Sequence, residues 1–217
     1  MYAAIFDMDG TLVDNNPYHF KAWKQLFEQH NRVGVTPELY NEKISGVPGM
    51  VIMRNFFGND HTEEQMTQLF AHKTRNYKEI YAPHVTPING LERFLTALKN
   101  AGFKLAVASS ATEANIEFVL SRLPVKHLFD VVVDGLRVSK SKPNPDIFLK
   151  AAKDLGVSPE NCVVFEDSLS GVKAGNAAGM KVVGITTSHT SDELQPVSQV
   201  ITDYTELTEH DVKALFE

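Results

Sequence analysis

Asp7 and Asp9, one residue apart in the run Ala3-Ala4-Ile5-Phe6-Asp7-Met8-Asp9-Gly10-Thr11, have the types and spacing to do chemistry. They follow an apolar segment that reads as a buried strand, so they fall at its carboxyl end, where open α/β sheets build ligand sites. Two carboxylates so placed in a turn can divide the work. One offers oxygen to a hard cation while the other side chain stays available for covalent or proton chemistry. Gly10 permits a sharp turn that brings backbone N–H groups close to the same point. Taken alone, Asp-x-Asp-Gly is also the pattern of a solvated Asx turn, so the rest of the chain must decide.

The elements that would position this pair follow from hydrophobic periodicity. Residues 16–81 carry only helical patterns: Phe20, Trp23 and Phe27 keep helical spacing, and Thr62 with Gln65 forms a capping box before Met66, Leu69, Phe70, Tyr77 and Ile80. Thr36-Pro37 and the stretch 50–57 before Gly58 predict two further short helices. From residue 91 helices alternate with strands. Strands are expected at 104–108, 130–133, 162–165 and 181–185. The intervening helices are expected over 91–102, around 116–123, from Asn144 as cap and Pro145 to Gly156, and over 171–179. The tail from Thr187 onward carries no clear pattern. Alternation of this kind implies right-handed crossovers, hence an α/β fold with a doubly wound parallel sheet and Rossmann-like core, interrupted after its first strand by a helical unit. The expected division is 1–14 with 84–217 for the core and 15–83 for the insertion.

Composition narrows the function. A chain of 217 residues with 43% hydrophobic content can bury one large core, or a core carrying a smaller inserted domain. The formal charge of -6 gives no basic footprint for nucleic acid. Cys162 is the only cysteine and lies in an apolar run, which excludes an internal disulfide framework or a thiolate zinc site within one chain. No leader-like segment and no apolar run near the ~18 residues of a membrane span is present. The expectation is a cytoplasmic protein that binds neither nucleic acid nor membrane.

In a parallel sheet all carboxyl ends line one edge, so the residues after each strand share a site. Ser109 and Ser110 follow the second strand, Lys142 lies in the loop after the third, and Glu166-Asp167 follows the fourth. Each has a duller reading: Ser109 as a helix cap, Lys142 as a solvated loop lysine, Glu166-Asp167 as an acidic turn. Together they supply acidic oxygens for a divalent cation, a hydroxyl for a phosphoryl oxygen and an ammonium to balance charge. A carboxylate nucleophile can approach a phosphate ester only if such groups offset the repulsion.

With these four ordered motifs the chain resembles the haloacid dehalogenase superfamily over nearly its whole length. The helical insertion, Tyr18-His19-Phe20-Lys21-Ala22-Trp23-Lys24, and Ser141-Lys142-Pro143 with Pro145-Asp146-Ile147-Phe148 resemble its helical-cap subgroup of β-phosphoglucomutase and related sugar-phosphate phosphatases. The resemblance implies Asp7 as nucleophile forming an aspartyl phosphate, and Asp9 as general acid and base. It implies Ser109 and Lys142 as the phosphoryl grip. It assigns Mg²⁺ to Asp7, the Asp9 carbonyl and Asp167, with Glu166 as ligand or support. Substrate contacts are implied at Thr11, His19, Gly46, Lys73 and Ser110. On its own, His19 reads equally as a surface helix histidine, and on so polar a helix a lysine such as Lys73 is usually solvated.

Within that subgroup the sequence departs from the mutase. A mutase must hold a second phosphate in a cationic pocket. The arginine that follows the mutase's cap-loop Gly-Val is replaced here by Gly49, in Ser45-Gly46-Val47-Pro48-Gly49. Glu113, in Ala111-Thr112-Glu113, stands where cationic or neutral groups are expected. The reading is therefore a monomeric phosphatase of a small phosphorylated metabolite, a hexose or other sugar phosphate. The mutase is the alternative. A phosphoaccepting signalling module or a binding protein is a further one; a receiver-type module would place its acceptor after the third strand and lack the cap.

Overall fold

Every residue of the first strand is buried, as its unbroken apolar run requires. The computed structural model describes residues 1–32 and 34–217. Its strands are β1 (Ala3–Phe6), β2 (Lys104–Ala108), β3 (Val131–Val133), β4 (Cys162–Glu166), β5 (Lys181–Ile185) and β6 (Gln199–Ile201). They form one sheet in the order β3-β2-β1-β4-β5-β6, and every neighbouring pair is parallel. Between β1 and β4 the strand order reverses direction, and doubly wound sheets open a ligand crevice at such a switch point. Asp7 leaves β1 there.

Among the described residues the helices after β1 are α1 (Asn16–Gln29), α2 (Pro37–Lys43), α3 (Gly49–Phe57) and α4 (Glu63–Tyr81). The others are α5 (Leu91–Asn100), α6 (Glu113–Leu120), α7 (Asp146–Leu155), α8 (Leu169–Ala177) and α9 (Glu209–Ala214). The chain divides into two compact units, Met1–Asp14 with Thr86–Glu217, and Asn15–Val85. Among the described residues no helix is long and apolar enough to cross a membrane.

In the sheet unit, side chains alternate between faces along each strand. Ile5, Ala106, Val164 and Val182 pack with Ile147, Phe148 and Ala151 of α7 and with Val172 and Ala174 of α8. The alternate set meets aromatic side chains. Phe6 stacks on Phe165 at 4.5 Å, and Phe94 of α5 meets both edge-on. Tyr204 stacks on Phe94 at 5.3 Å. Each such buried side chain stabilises the unit by about 1.5–3 kcal/mol, which holds the first and fourth strands rigidly where their carboxyl ends carry charge. Cys162 opens β4 with its thiol donating to Ser158 O at 3.3 Å, and burial pushes its pKa up to about 12.

The helical unit has its own core of Trp23, Leu26, Phe27, Tyr40, Ile52, Met53, Phe57 and Met66. The Thr62 capping box is complete, with Gln65 N–H donating to Thr62 Oγ1 at 3.2 Å and Thr62 N–H to Gln65 Oε1 at 2.8 Å.

Three local expectations change. Asn144 does not cap α7: its Nδ2 donates to Ser141 O at 3.1 Å, so the amide is spent as a donor and Pro145 holds the cap position. Leu123 falls beyond α6, in the turns after Leu120. The tail adds a sixth strand and α9, each too short to show a period in the sequence.

Candidate active site

Asp7 extends the first strand by one residue, its N–H donating to Phe165 O at 3.0 Å. The chain then folds into a tight turn in which Thr11, Leu12 and Val13 all donate to Met8 O at 2.9–3.3 Å. Gly10 lies at φ +78°, a backbone conformation that side chains other than glycine's rarely tolerate. Asp9 is half-buried within this turn and bridges in parallel to Val13.

Lys142 arrives from the loop after β3, and its side chain is only 4% exposed. Its Nζ donates to Asp7 Oδ1 at 2.5 Å, to Glu166 Oε1 at 2.6 Å and to Ala108 O at 3.4 Å, and it lies 4.8 Å over the Phe148 ring. Burial opposes the lysine's charge, yet the two carboxylates more than offset this and hold its pKa above the ordinary value. The other oxygen of Glu166 accepts from Ser168 N–H at 2.8 Å and Ser168 Oγ at 2.9 Å. Both oxygens of Glu166 thus have protein donors. Gly171 of α8 makes room for it, since a Cβ there would lie 1.7 Å from Glu166 Oε1.

Asp167 accepts from Thr11 Oγ1 at 3.4 Å on one oxygen and from Ser188 Oγ on the other. Burial and the charges of Glu166 and Asp7 push its pKa well up. Asp7 is pushed up to about 7, by burial first and by Glu166 and Asp9, with Lys142 acting in the opposite direction. Ser109 is buried, its N–H bonded to Val133 O at 3.1 Å and its Oγ accepting from Ala111 N–H at 3.1 Å. Ser110 beside it is exposed.

The chain's fold therefore links Asp7, Lys142 and Glu166 directly, and Thr11 with Asp167. In the helical unit it links His19 with Lys73: Nζ lies 2.8 Å from His19 Nδ1. His19 stacks on Tyr77 at 3.9 Å, and Lys73 is buried over the Trp23 ring at 4.8 Å. Gly46 is exposed in the turn between α2 and α3 at φ +71°.

Sequence reasoning missed Thr187, Ser188 and His189 after β5, Tyr204, and Asp134. Tyr204 OH donates to Thr11 O at 2.9 Å, and Asp134 caps its own turn by accepting from Leu136 N–H at 2.8 Å. The only available signal was position: both Asp134 and Thr187 lie at carboxyl ends of strands.

The donor set suits a hard divalent cation. Among the described residues Asp7, Glu166 and Asp167 are buried beside the Lys142 ammonium, and burial first, then the neighbouring carboxylates, pushes the pKa values of Asp7 and Asp167 up. Among the described residues no three acidic, histidine or cysteine side chains form a ready-made metal cage. Mg²⁺ does not need one, since it keeps several waters and takes one or two carboxylates.

A doubly wound parallel sheet with a carboxylate–lysine cluster at its switch point is the core of an α/β enzyme, and comparison with known proteins narrows the class. The sequence model of the haloacid dehalogenase-like hydrolases matches residues 4–185, and this chain belongs to that family. A β-phosphoglucomutase of Bacillus subtilis is 36% identical over 193 residues, which cover 85% of this chain and 83% of that protein. A phosphorylated carbohydrates phosphatase of Thermotoga maritima is 35% identical over 185 residues, 83% of each. The crystal structure of a β-phosphoglucomutase from Clostridium difficile matches with a TM-score of 0.89 and 27% identity, covering 100% of this chain and 97% of that one.

Proposed function

We propose that this protein is a Mg²⁺-dependent phosphatase of a small phosphorylated metabolite, a hexose or other sugar phosphate, working through an aspartyl phosphate on Asp7. The observation that carries the reading is the buried Lys142 ammonium held between Asp7 and Glu166 at the sheet's switch point. Its charge opposes the burial that pushes Asp7 toward protonation and offers positive charge where a phosphoryl group would lie.

Asp7 Oδ attacks phosphorus while the ester oxygen leaves with a proton from Asp9. Water then attacks the phosphorus of the aspartyl phosphate and gives its proton to Asp9, releasing inorganic phosphate and restoring Asp7. Lys142 and Ser109 grip the transferred group. Asp7, the Asp9 carbonyl and Asp167 would hold Mg²⁺, and Glu166, with both oxygens engaged, holds Lys142. Bound Mg²⁺ would supply charge neutralisation at the phosphoryl oxygens. Thr11 and Ser110, on the same turns as Asp9 and Ser109, and His19, Gly46 and Lys73 in the helical unit, are the substrate contacts of this reading. The enzyme acts as a cytoplasmic monomer, without nucleic acid or membrane.

The choice of hydrolysis over isomerisation rests on Gly49 and Glu113. A Cβ at Gly49 would fall 2.2 Å from the Phe70 ring, so an aromatic side chain fills the space a cationic one would need. Glu113 opens α6, where the helix N-terminus favours its negative charge. Both features remove anchors for a distal phosphate. The second reading, a β-phosphoglucomutase, is favoured by the identity to the Bacillus subtilis mutase. Assaying one preparation with Mg²⁺ for phosphate release from sugar monophosphates, and for conversion of β-glucose 1-phosphate to glucose 6-phosphate primed with bisphosphate, separates them. Phosphate release with poor isomerisation is expected; efficient isomerisation with little free phosphate would restore the mutase.

A further inference from the structure

Four consecutive residues after β5 each make a hydrogen bond away from their own loop. Thr186 N–H donates to Ile201 O at 3.0 Å, tying the segment to β6. Thr187 Oγ1 donates to Gly10 O at 2.5 Å, in the turn that carries Asp9. Ser188 Oγ donates to Asp167 Oδ2. His189 Nδ1 lies 3.0 Å from Asp167 O, and because a carbonyl only accepts, this ring nitrogen carries the proton. Beyond them Thr190 N–H and Oγ1 both donate to Glu193 Oε2 at 2.8 Å, and Leu194 anchors the loop in the core. The segment is thus fixed at both ends, with its hydroxyls and imidazole turned toward the two acidic turns.

We propose that Ser188 is a positioning residue of the cation site: its hydroxyl fixes the plane of the Asp167 carboxylate, with Thr187 and His189 holding the backbones of the two acidic turns. A carboxylate that accepts from Thr11 on one oxygen and from Ser188 on the other cannot rotate freely about its Cβ–Cγ bond. A carboxylate oxygen that accepts a hydrogen bond can also coordinate a cation, so donors that orient the group are compatible with its meeting a hard cation. Mg²⁺ demands near-ideal octahedral directions, and a ligand aimed in advance binds it more tightly than one that must be ordered on binding.

This inference rests on the Mg²⁺ reading of the site, and its test separates the two. Mg²⁺, added as the chloride without substrate, is titrated calorimetrically into the wild type, Ser188→Ala and Ser188→Thr. Thermal unfolding without the metal is followed in parallel. Ser188→Ala is expected to bind Mg²⁺ about 10-fold or more weakly, as loss of an outer partner of a metal ligand typically does, while Ser188→Thr, which keeps the hydroxyl, recovers most of the affinity. Equal affinity in Ser188→Ala and the wild type overturns the role of Ser188 and leaves the metal reading standing. No Mg²⁺ binding by the wild type overturns both. Weakened binding in both variants alike also overturns it, because packing rather than the hydroxyl would then be the cause. Should Ser188→Ala fail to fold, the comparison passes to Thr187→Val, which is expected to weaken Mg²⁺ binding by displacing the Asp9–Gly10 turn; unchanged affinity there overturns the proposal.

Discussion

Asp7 and Asp9 are two positions apart in the chain, but their surroundings differ sharply. Asp7 is buried against Lys142 and Glu166, whereas Asp9 is half-buried in a glycine turn. Paired carboxylates in unlike environments are what a division between nucleophile and proton carrier needs. In the proposed mechanism Asp9→Asn removes the proton carrier and leaves the nucleophile and the lysine in place. We expect its kcat to fall by about 10² to 10⁴, as for loss of a general acid–base group, with KM little changed. Steady-state kinetics on a hydrolysed sugar phosphate check this, and an effect confined to KM would reduce Asp9 to a binding residue. The spacing of this pair and its place after an apolar run were legible in the sequence. Glu166 was legible only as an acid, because its partners Lys142 and Ser168 depend on where loops return.

At the scale of elements, α8 shows how a helix can serve a side chain it does not carry. Gly171 lies in its first turn, and the missing Cβ is what admits the Glu166 carboxylate. Alanine improves helix propensity by about 1 kcal/mol over glycine, so Gly171→Ala would be harmless if only the helix mattered. Here the added methyl meets an oxygen pinned by Lys142 on one side and Ser168 on the other. The carboxylate must move, and Lys142 with it. We expect kcat/KM to fall on the order of 10²-fold, the scale of a displacement near 1 Å among reacting groups, while thermal unfolding shows a folded protein. Unchanged kcat/KM would contradict the account of Glu166. Local signals of this scale were readable where they are self-contained, as in the Thr62 capping box. They misled at Asn144, where the amide turned back to Ser141 instead of forward to the helix. The three-residue β6 and the loop carrying Thr187 to His189 left no periodic trace, since their role depends on hydrogen bonds to distant residues.

For the whole molecule, the parallel sheet is what makes distant sequence positions meet. Asp7 and Lys142 are 135 residues apart and share a hydrogen bond, because β1 and the loop after β3 end at one edge. That rule of parallel sheets let the strand-end residues be grouped from sequence alone, although nothing in the sequence gave their distances. In the proposed reaction the phosphoryl group passes through Asp7. Rapid acid quenching of the Asp9→Asn variant with substrate and Mg²⁺, followed by mass spectrometry of its peptides, tests that claim directly. A phosphoryl group is expected on the N-terminal peptide, carried by Asp7, and none in the Asp7→Asn protein, which should also release no phosphate in steady state. A phosphoryl group on another residue, or sustained phosphate release by pure Asp7→Asn, would contradict it.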